Sequence, residues 1–181
     1  MKPYRLALIV LFVVAVTGLV GCSNNNSAKT EADVYLSEAV QPGPAEVSVS
    51  SGADVIIPTL TISSHPKNAG ASLTQQEDVI LNQWVVTCTR TDGGTVASPQ
   101  WTNFYQVYVP AGGSTSLSNY RIFPSEYFLQ PPLNQLLVSP FLDAETNNPF
   151  IRQRLHIAIY GKEVSGKNIS LEFDVNLKFM F

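Results

Sequence analysis

The last thirteen residues of the chain alternate without a break: Ile169, Leu171, Phe173, Val175, Leu177, Phe179 and Phe181 are interleaved with Ser170, Glu172, Asp174, Asn176, Lys178 and Met180. Successive side chains of a β-strand point to opposite faces, so this pattern predicts a long strand with one buried face and one wetted face. Such a strand needs a second layer to cover its apolar side. Residues 151–159 repeat the pattern, with Ile151, Leu155, Ile157 and Ile159 on one face and Arg152, Arg154 and His156 on the other. Residues 161–167, with two glycines, read as the turn between the two strands. A symmetric hairpin would set Arg154 opposite Asp174 and His156 opposite Glu172 or diagonal to it, each opposite-charge pair contributing roughly 0.2–1 kcal/mol.

The rest of the chain after residue 44 is strand and turn almost throughout. Residues 46–50 and 54–62 are strand candidates, and Pro58 pushes the second toward a sheet edge or a bulge. In residues 78–90, Trp84, Val86 and Cys88 share one face; Asp92-Gly93-Gly94 then offers turn chemistry before a returning strand over 103–109. Residues 120–123, 126–129 and 135–139 are short candidates separated by Pro124, Pro131-Pro132 and Pro140, and 130–138 reads equally as a helical turn through Leu133, Leu136 and Leu137. Seven to nine short strands with prolines in the turns predict an all-β fold, an antiparallel β-sandwich of the immunoglobulin-like kind, over residues 45–181.

The chain begins with Lys2 and Arg5, then an almost purely apolar run over 6–20 that ends at Gly21-Cys22 and a polar Ser23-Asn24-Asn25-Asn26. A spanning helix needs about 20 apolar residues, so a cleaved export signal fits better than a membrane span. Leu19-Val20-Gly21-Cys22 resembles the lipobox of bacterial prolipoproteins. The resemblance covers only the first 22 positions. It implies removal of residues 1–21, a diacylglyceryl group on the Cys22 thiol and acylation of the new amino terminus, which together form a stable membrane anchor. Ser23, in place of an aspartate, implies the outer membrane in a two-membrane cell. Residues 22–44 are polar and end in Gln41-Pro42-Gly43-Pro44, the composition of a tether. Within it only 33–40, with Val34, Leu36 and Val40, has the makings of a short element.

After cleavage nine lysines and arginines stand against fourteen acidic residues, a formal charge of −5. No basic run could neutralise several phosphates, so nucleic acid is excluded as a partner. With Cys22 lipidated, Cys88 is left without a disulfide partner. Its phase with Trp84 and Val86 points to a buried, inert thiol.

No catalytic constellation is expected. His156 and Glu172 are the weak acid and base candidates, and their setting on the wet face of a charged strand pair favours a structural ladder. His65 lies in a loop without a second ligand at metal spacing, and no metal or cofactor is expected. The serines of Gly113-Ser114-Thr115-Ser116 read as loop, and no Gly-x-Ser-x-Gly elbow occurs. Asp143-Ala144-Glu145-Thr146-Asn147-Asn148 offers oxygen ligands but lacks the spacing and central glycine of a calcium loop, so it reads as an exposed turn. Between residues 101 and 128 the aromatics are dense, and Trp101, Phe104, Tyr108 and Tyr120 are the candidate binding patch.

The sequence therefore points first to a noncatalytic envelope lipoprotein whose sandwich binds a protein partner or supports a surface assembly. A second reading is an accessory protein that binds or hydrolyses a cell-wall or extracellular polysaccharide. A third is a small outer-membrane β-barrel, because an alternating strand ending in Phe181 resembles the assembly signal of such barrels.

Overall fold

A computed structural model describes residues 30–41, 43 and 45–181; Cys22, its lipid and the export signal lie outside the described residues. Among the described residues there are nine strands: β1 (Val34–Gln41), β2 (Glu46–Ser48), β3 (Val55–Pro66), β4 (Val79–Arg90), β5 (Trp101–Asn103), β6 (Val107–Val109), β7 (Ser114–Phe123), β8 (Phe150–Glu163) and β9 (Asn168–Met180). They form two sheets, β1-β3-β7 and β2-β9-β8-β4-β5, with β6 also paired to β4. The first, third and seventh strands thus share one layer while the fourth, eighth and ninth form the centre of the other, which is the immunoglobulin-like arrangement. Trp84, on β4, is fully buried in the place where immunoglobulin domains carry a core tryptophan. The two sheets have separate edges and do not close on each other in one ring, so the barrel reading fails. Phe181 lies beyond the end of β9, exposed.

The alternation of β9 places Ile169, Leu171, Phe173, Leu177 and Phe179 in the core, with Val175 at its margin. The hairpin is longer than a symmetric closure at 161–167 would make it. β8 continues to Glu163, the Glu163 N–H bonds to the Lys167 carbonyl, and the register becomes Arg154 opposite Asn176, His156 opposite Asp174 and Ala158 opposite Glu172. Arg154 is therefore diagonal to Asp174, and His156 is diagonal to Glu172.

Three segments differ from the sequence-based expectation. Residues 34–41, placed in the tether, form β1 and pair antiparallel with β3 along their whole length, burying Val34 and Leu36. The apolar phase of Val34 and Leu36 outweighs the polar composition around it. Residues 114–118 form the first half of β7 instead of a serine loop, because Ser and Thr suit a strand exposed on its outer face. Residues 126–129 form a 3₁₀ turn, Ser125–Leu129, in place of a strand; of the two readings of 130–138 the helical turn is the one found, as a second 3₁₀ turn over Leu133–Leu137, and the two turns bury Phe128, Leu133 and Leu136.

Pro58 sits within the middle strand of the smaller sheet and not at an edge, and the β3–β7 register shift lies between Val55 and Ile56, not at the proline. The β1 ladder stops at Thr59, one residue away. Across on β7, Asn119 adopts a left-handed φ of 53°. At this level both strands turn over: the buried set of β3 passes from Leu60 and Ile62 to Ile57 and Val55, and that of β7 runs on into Tyr120 and Ile122. A residue lacking an N–H is accommodated where the ladder is already broken.

The strands define two ends of the molecule, about 40 Å apart for twelve residues at 3.3–3.4 Å each. At one end the chain enters. There the buried carboxylate of Glu163 accepts the backbone N–H groups of Asp33 (2.7 Å) and Val34 (3.1 Å), Lys167 pairs with Asp33, and the Lys67 N–H donates to the Asp33 carbonyl. At the other end lie Gln41 and Gly43, where the chain crosses from β1 toward β2, the loop 91–100, the long connection 124–149 and Phe181.

Candidate functional site

The end opposite the chain entry is held together by one arginine. Arg90 continues the inward phase of Trp84, Val86 and Cys88, so a guanidinium is carried into the core at the last position of β4. Its side chain is 1% exposed. Its Nε donates to Asp92 Oδ1 at 2.7 Å, and its terminal nitrogens donate to Asp143 Oδ2 at 2.8 Å and to the Val96 carbonyl at 3.2 Å. Glu145 stands 3.5 Å from the same guanidinium and also accepts the N–H groups of Thr95 (2.8 Å) and Val96 (3.0 Å). Burial alone would push the Asp143 and Asp92 carboxyls up. The hydrogen bonds and charge of Arg90, with Thr146 on Asp143 and the Arg152 and Gly94 amides on Asp92, outweigh it and hold both below their ordinary values.

This network changes the standing of residues 143–148. Asp143 is not exposed: its oxygens are taken by Arg90 and by the Thr146 hydroxyl and amide. The segment is a clip that fixes two loops. Among the described residues, no group of three or more His, Cys, Asp or Glu side chains is placed to hold a metal ion.

On top of this rigid base stand apolar side chains that face solvent. Leu129 (71% exposed), Val138 (66%), Phe181 (56%) and Phe141 belong to the 124–141 segment and the chain end, and the rings of Phe141 and Phe181 lie 4.6 Å apart. Beneath them, Leu133, Leu136 and Phe128 enter the core, so the segment is anchored on one side and apolar on the other. Phe150, at the start of β8, lies under two cations: Arg152 at 4.9 Å and Lys178 at 5.2 Å from its ring centre.

The predicted aromatic patch does not assemble. Tyr120 is a core residue whose ring lies tilted at 35° against Trp84, centroids 4.3 Å apart, and burial pushes its phenol up to about 12. Trp101 pairs with Val86 on the inward phase and is half-buried beneath the Arg121 guanidinium. Phe104 and Tyr108 are exposed, at the outer side of β5 and β6, and the Tyr108 hydroxyl donates to the buried Asp78 carboxylate. Tyr120, on β7 of the smaller sheet, and Trp101, on β5 of the larger, turn toward the interior, whereas Phe104 and Tyr108 face solvent.

His156 meets carboxylates, but in the open. Its Nδ1 is 2.8 Å from Asp174 Oδ1 and its Nε2 is 3.8 Å from Glu172 Oε2, while Arg154 Nε is 3.9 Å from Asp174 Oδ2. All four lie on the outer face of β8 and β9. His65 is the end of a strand, not a loop: its ring stacks on Tyr35 and its Nε2 lies 2.8 Å from the Ser37 hydroxyl. Cys88 is buried, and desolvation pushes its thiol up to about 12.

One structural carboxylate and one arginine escape a reading of the sequence by motif, yet each leaves a signal. Arg90 lies in phase with Trp84 and Cys88, and Glu163 lies in phase with Ile157 and Ile159. A charged residue on the apolar phase of a strand marks a buried, partnered charge.

No family model matches the chain, and no curated protein matches it. Among solved structures, it is similar to AggA, the major subunit of aggregative adherence fimbriae type I from Escherichia coli, at 14% identity over 82% of this chain and 95% of that one, with a TM-score of 0.35.

Proposed function

We propose that this chain is a noncatalytic lipoprotein of the cell envelope that is held through Cys22 and presents the 124–141 end of its sandwich to a protein partner. The observation that carries the reading is the placement of the two ends. The chain enters beside Glu163 and Lys167, and the exposed apolar side chains Leu129, Val138, Phe141 and Phe181 lie at the far end of the strands. Exposed apolar groups on a rigid loop mark a surface made to be covered. The Arg90 clip and the buried Leu133, Leu136 and Phe128 provide that rigidity, so little ordering entropy is lost on binding. From Cys22 to Thr30 is eight residues, at most about 29 Å when extended. The apolar end therefore stands up to about 70 Å from the anchor.

The test is a photo-crosslinking residue placed at Leu129 or at Ser116, on the outer edge of β7, in cells carrying the full chain. A discrete adduct from position 129, absent from 116 and lost with Val138→Glu, is expected. No adduct from 129, or the same adduct from both positions, overturns the partner surface. The anchor is tested separately: Cys22→Ser protein is expected in the soluble envelope fraction, and its persistence in membranes overturns lipidation at Cys22.

A further inference from the structure

The larger sheet is uncovered along part of its outer edge. β2 pairs with β9 only from Lys178 to Met180, and the neighbouring β1 belongs to the other sheet. Below the crossover at Gly43 this leaves a cavity of about 270 Å³ between the sheets. Its walls are aliphatic: Val40, Val55, Ile57, Ile122, Val175 and Leu177, with no aromatic ring among the described residues that line it. The overturn of β3 at Pro58 contributes to it, because two successive residues, Pro58 and Thr59, leave the inward phase together. The crossover is tight at this point: a Cβ on Gly43 would come within 2.8 Å of the Ile56 carbonyl.

An apolar space of this size is unfavourable when empty, since its walls lose dispersion partners on one side. Water entering from the open side finds few of the two to four polar partners it needs along these walls. An aliphatic cavity of about 150 Å³ accepts a benzene molecule, so the present one has room for a hydrocarbon chain of moderate length. Two sheets packed about 10 Å apart leave a slot one chain thick. The polar groups at the rim are Asp174 and Asn176. Both stand on the outer phase of β9, at the lip of the slot and not inside it: the Asp174 carboxylate is engaged by His156 at 2.8 Å, with Arg154 at 3.9 Å, and the exposed Asn176 carboxamide beside it can both donate and accept. A second carboxylate beside Asp174 would be repelled; a hydroxyl or amide would not.

We propose that the slot between β1, β3 and β9 binds one aliphatic chain bearing an uncharged polar head, with the chain against Ile57, Ile122 and Leu177 and the head at Asn176. The site is independent of the apolar end at 124–141.

The probe is 1-decanol, with decanoate as its charged counterpart, added to isotope-labelled protein and followed by the methyl resonances of Ile57, Ile122, Leu177 and Val175. Decanol is expected to shift these methyls saturably, and decanoate to bind at least tenfold more weakly. Val175→Phe, at the half-buried mouth, is expected to keep the fold by amide spectrum and to weaken decanol at least tenfold. Val40→Phe serves the same purpose from the opposite wall should the first variant fold poorly. Unmoved methyls at the solubility limit of decanol, or identical shifts in the folded filled variant, overturn the site. Equal binding of decanol and decanoate overturns the assignment of the head.

Discussion

Replacing Arg90 by methionine tests whether the far end of the sandwich rests on a buried ion network. The guanidinium is 1% exposed and its partner Asp143 is fully buried, so removal of the cation leaves a carboxylate in the core with only Thr146 as donor. Asp92, 3% exposed, loses its 2.7 Å bond to Nε and retains the Arg152 and Gly94 amides. Removing one member of a buried pair costs roughly 3–5 kcal/mol, most of it from the charge left behind. For a domain of about 150 residues each kcal/mol moves Tm by about 2–4 °C, so Arg90→Met is expected to melt about 6–20 °C lower at pH 7. Urea unfolding followed through the buried Trp84 measures the free energy. The pH dependence supplies a second readout. In the native chain the Asp143 and Asp92 carboxyls are depressed, so their stabilisation is fully present above the unfolded value near 4 and is lost as pH falls through the folded values. Without Arg90, burial raises the Asp143 carboxyl instead, and the variant is relieved by protonation. The difference between the two proteins must therefore shrink below about pH 5. A loss under about 1 kcal/mol at pH 7, or a loss that does not diminish on acidification, refutes the account. Arg90→Lys, which keeps the charge but not the planar fork, is expected to fall between the two.

Four further outcomes follow from single positions. Glu163→Ala removes the acceptor of the Asp33 and Val34 amides and is expected to cost about 1–3 kcal/mol, with faster hydrogen exchange at Val34 than at the centre of β4. Gly161→Ala would bring a Cβ within 2.2 Å of the Ile80 carbonyl and 2.7 Å of Leu81 Cα at the β4 bulge, so a loss of about 1–3 kcal/mol or more is expected in thermal unfolding. Asn119→Gly is expected to be tolerated and Asn119→Val to lose about 1–2 kcal/mol, because only the latter resists the left-handed conformation. The Cys88 thiol, raised to about 12, is expected to resist iodoacetamide at pH 8 in the native protein and to react once urea has unfolded it.

The period-two pattern carried most of the fold. β8 and β9 were readable because their alternation runs through nine or more residues, long enough to reject a helix, and β4 through the shorter run from Trp84 that follows its bulge. β1 was not, since Ser37, Glu38 and Gln41 dilute its two core residues, and its stability comes from pairing with β3 eighteen or more positions away. Sequence pattern also cannot fix register. Two extra residues of β8 past Gly161 move every cross-strand partner by two, which is why Asp174, not Glu172, faces His156. The aromatic density of 101–128 was real, but density does not say which face each ring takes. Tyr120 went to the core and Phe104 to solvent because Asn119 and the gap between β5 and β6 each reset the phase.

The edges of the sheets argue that recognition uses loops and not strand addition on the side of β5, β6 and β7. An exposed, long, flat edge is a template for another chain, and proteins blunt such edges by shortening, bulging or charging them. β5 and β6 are three residues each, so neither offers a run of backbone groups to a new strand. β7 is ten residues long but is broken by the left-handed Asn119, and beyond it the Arg121 side chain folds over Trp101 and pairs with Asp54 at 3.4 Å. The apolar groups left to solvent therefore matter more where they sit on the 124–141 segment, whose backbone is already fixed by its own turns and by buried leucines. If partner binding depended on the β7 edge, Ser116→Pro would abolish the Leu129 crosslink. On the present argument Ser116→Pro leaves that crosslink in place, and Leu129→Glu with Val138→Glu removes the binding that the crosslink reports.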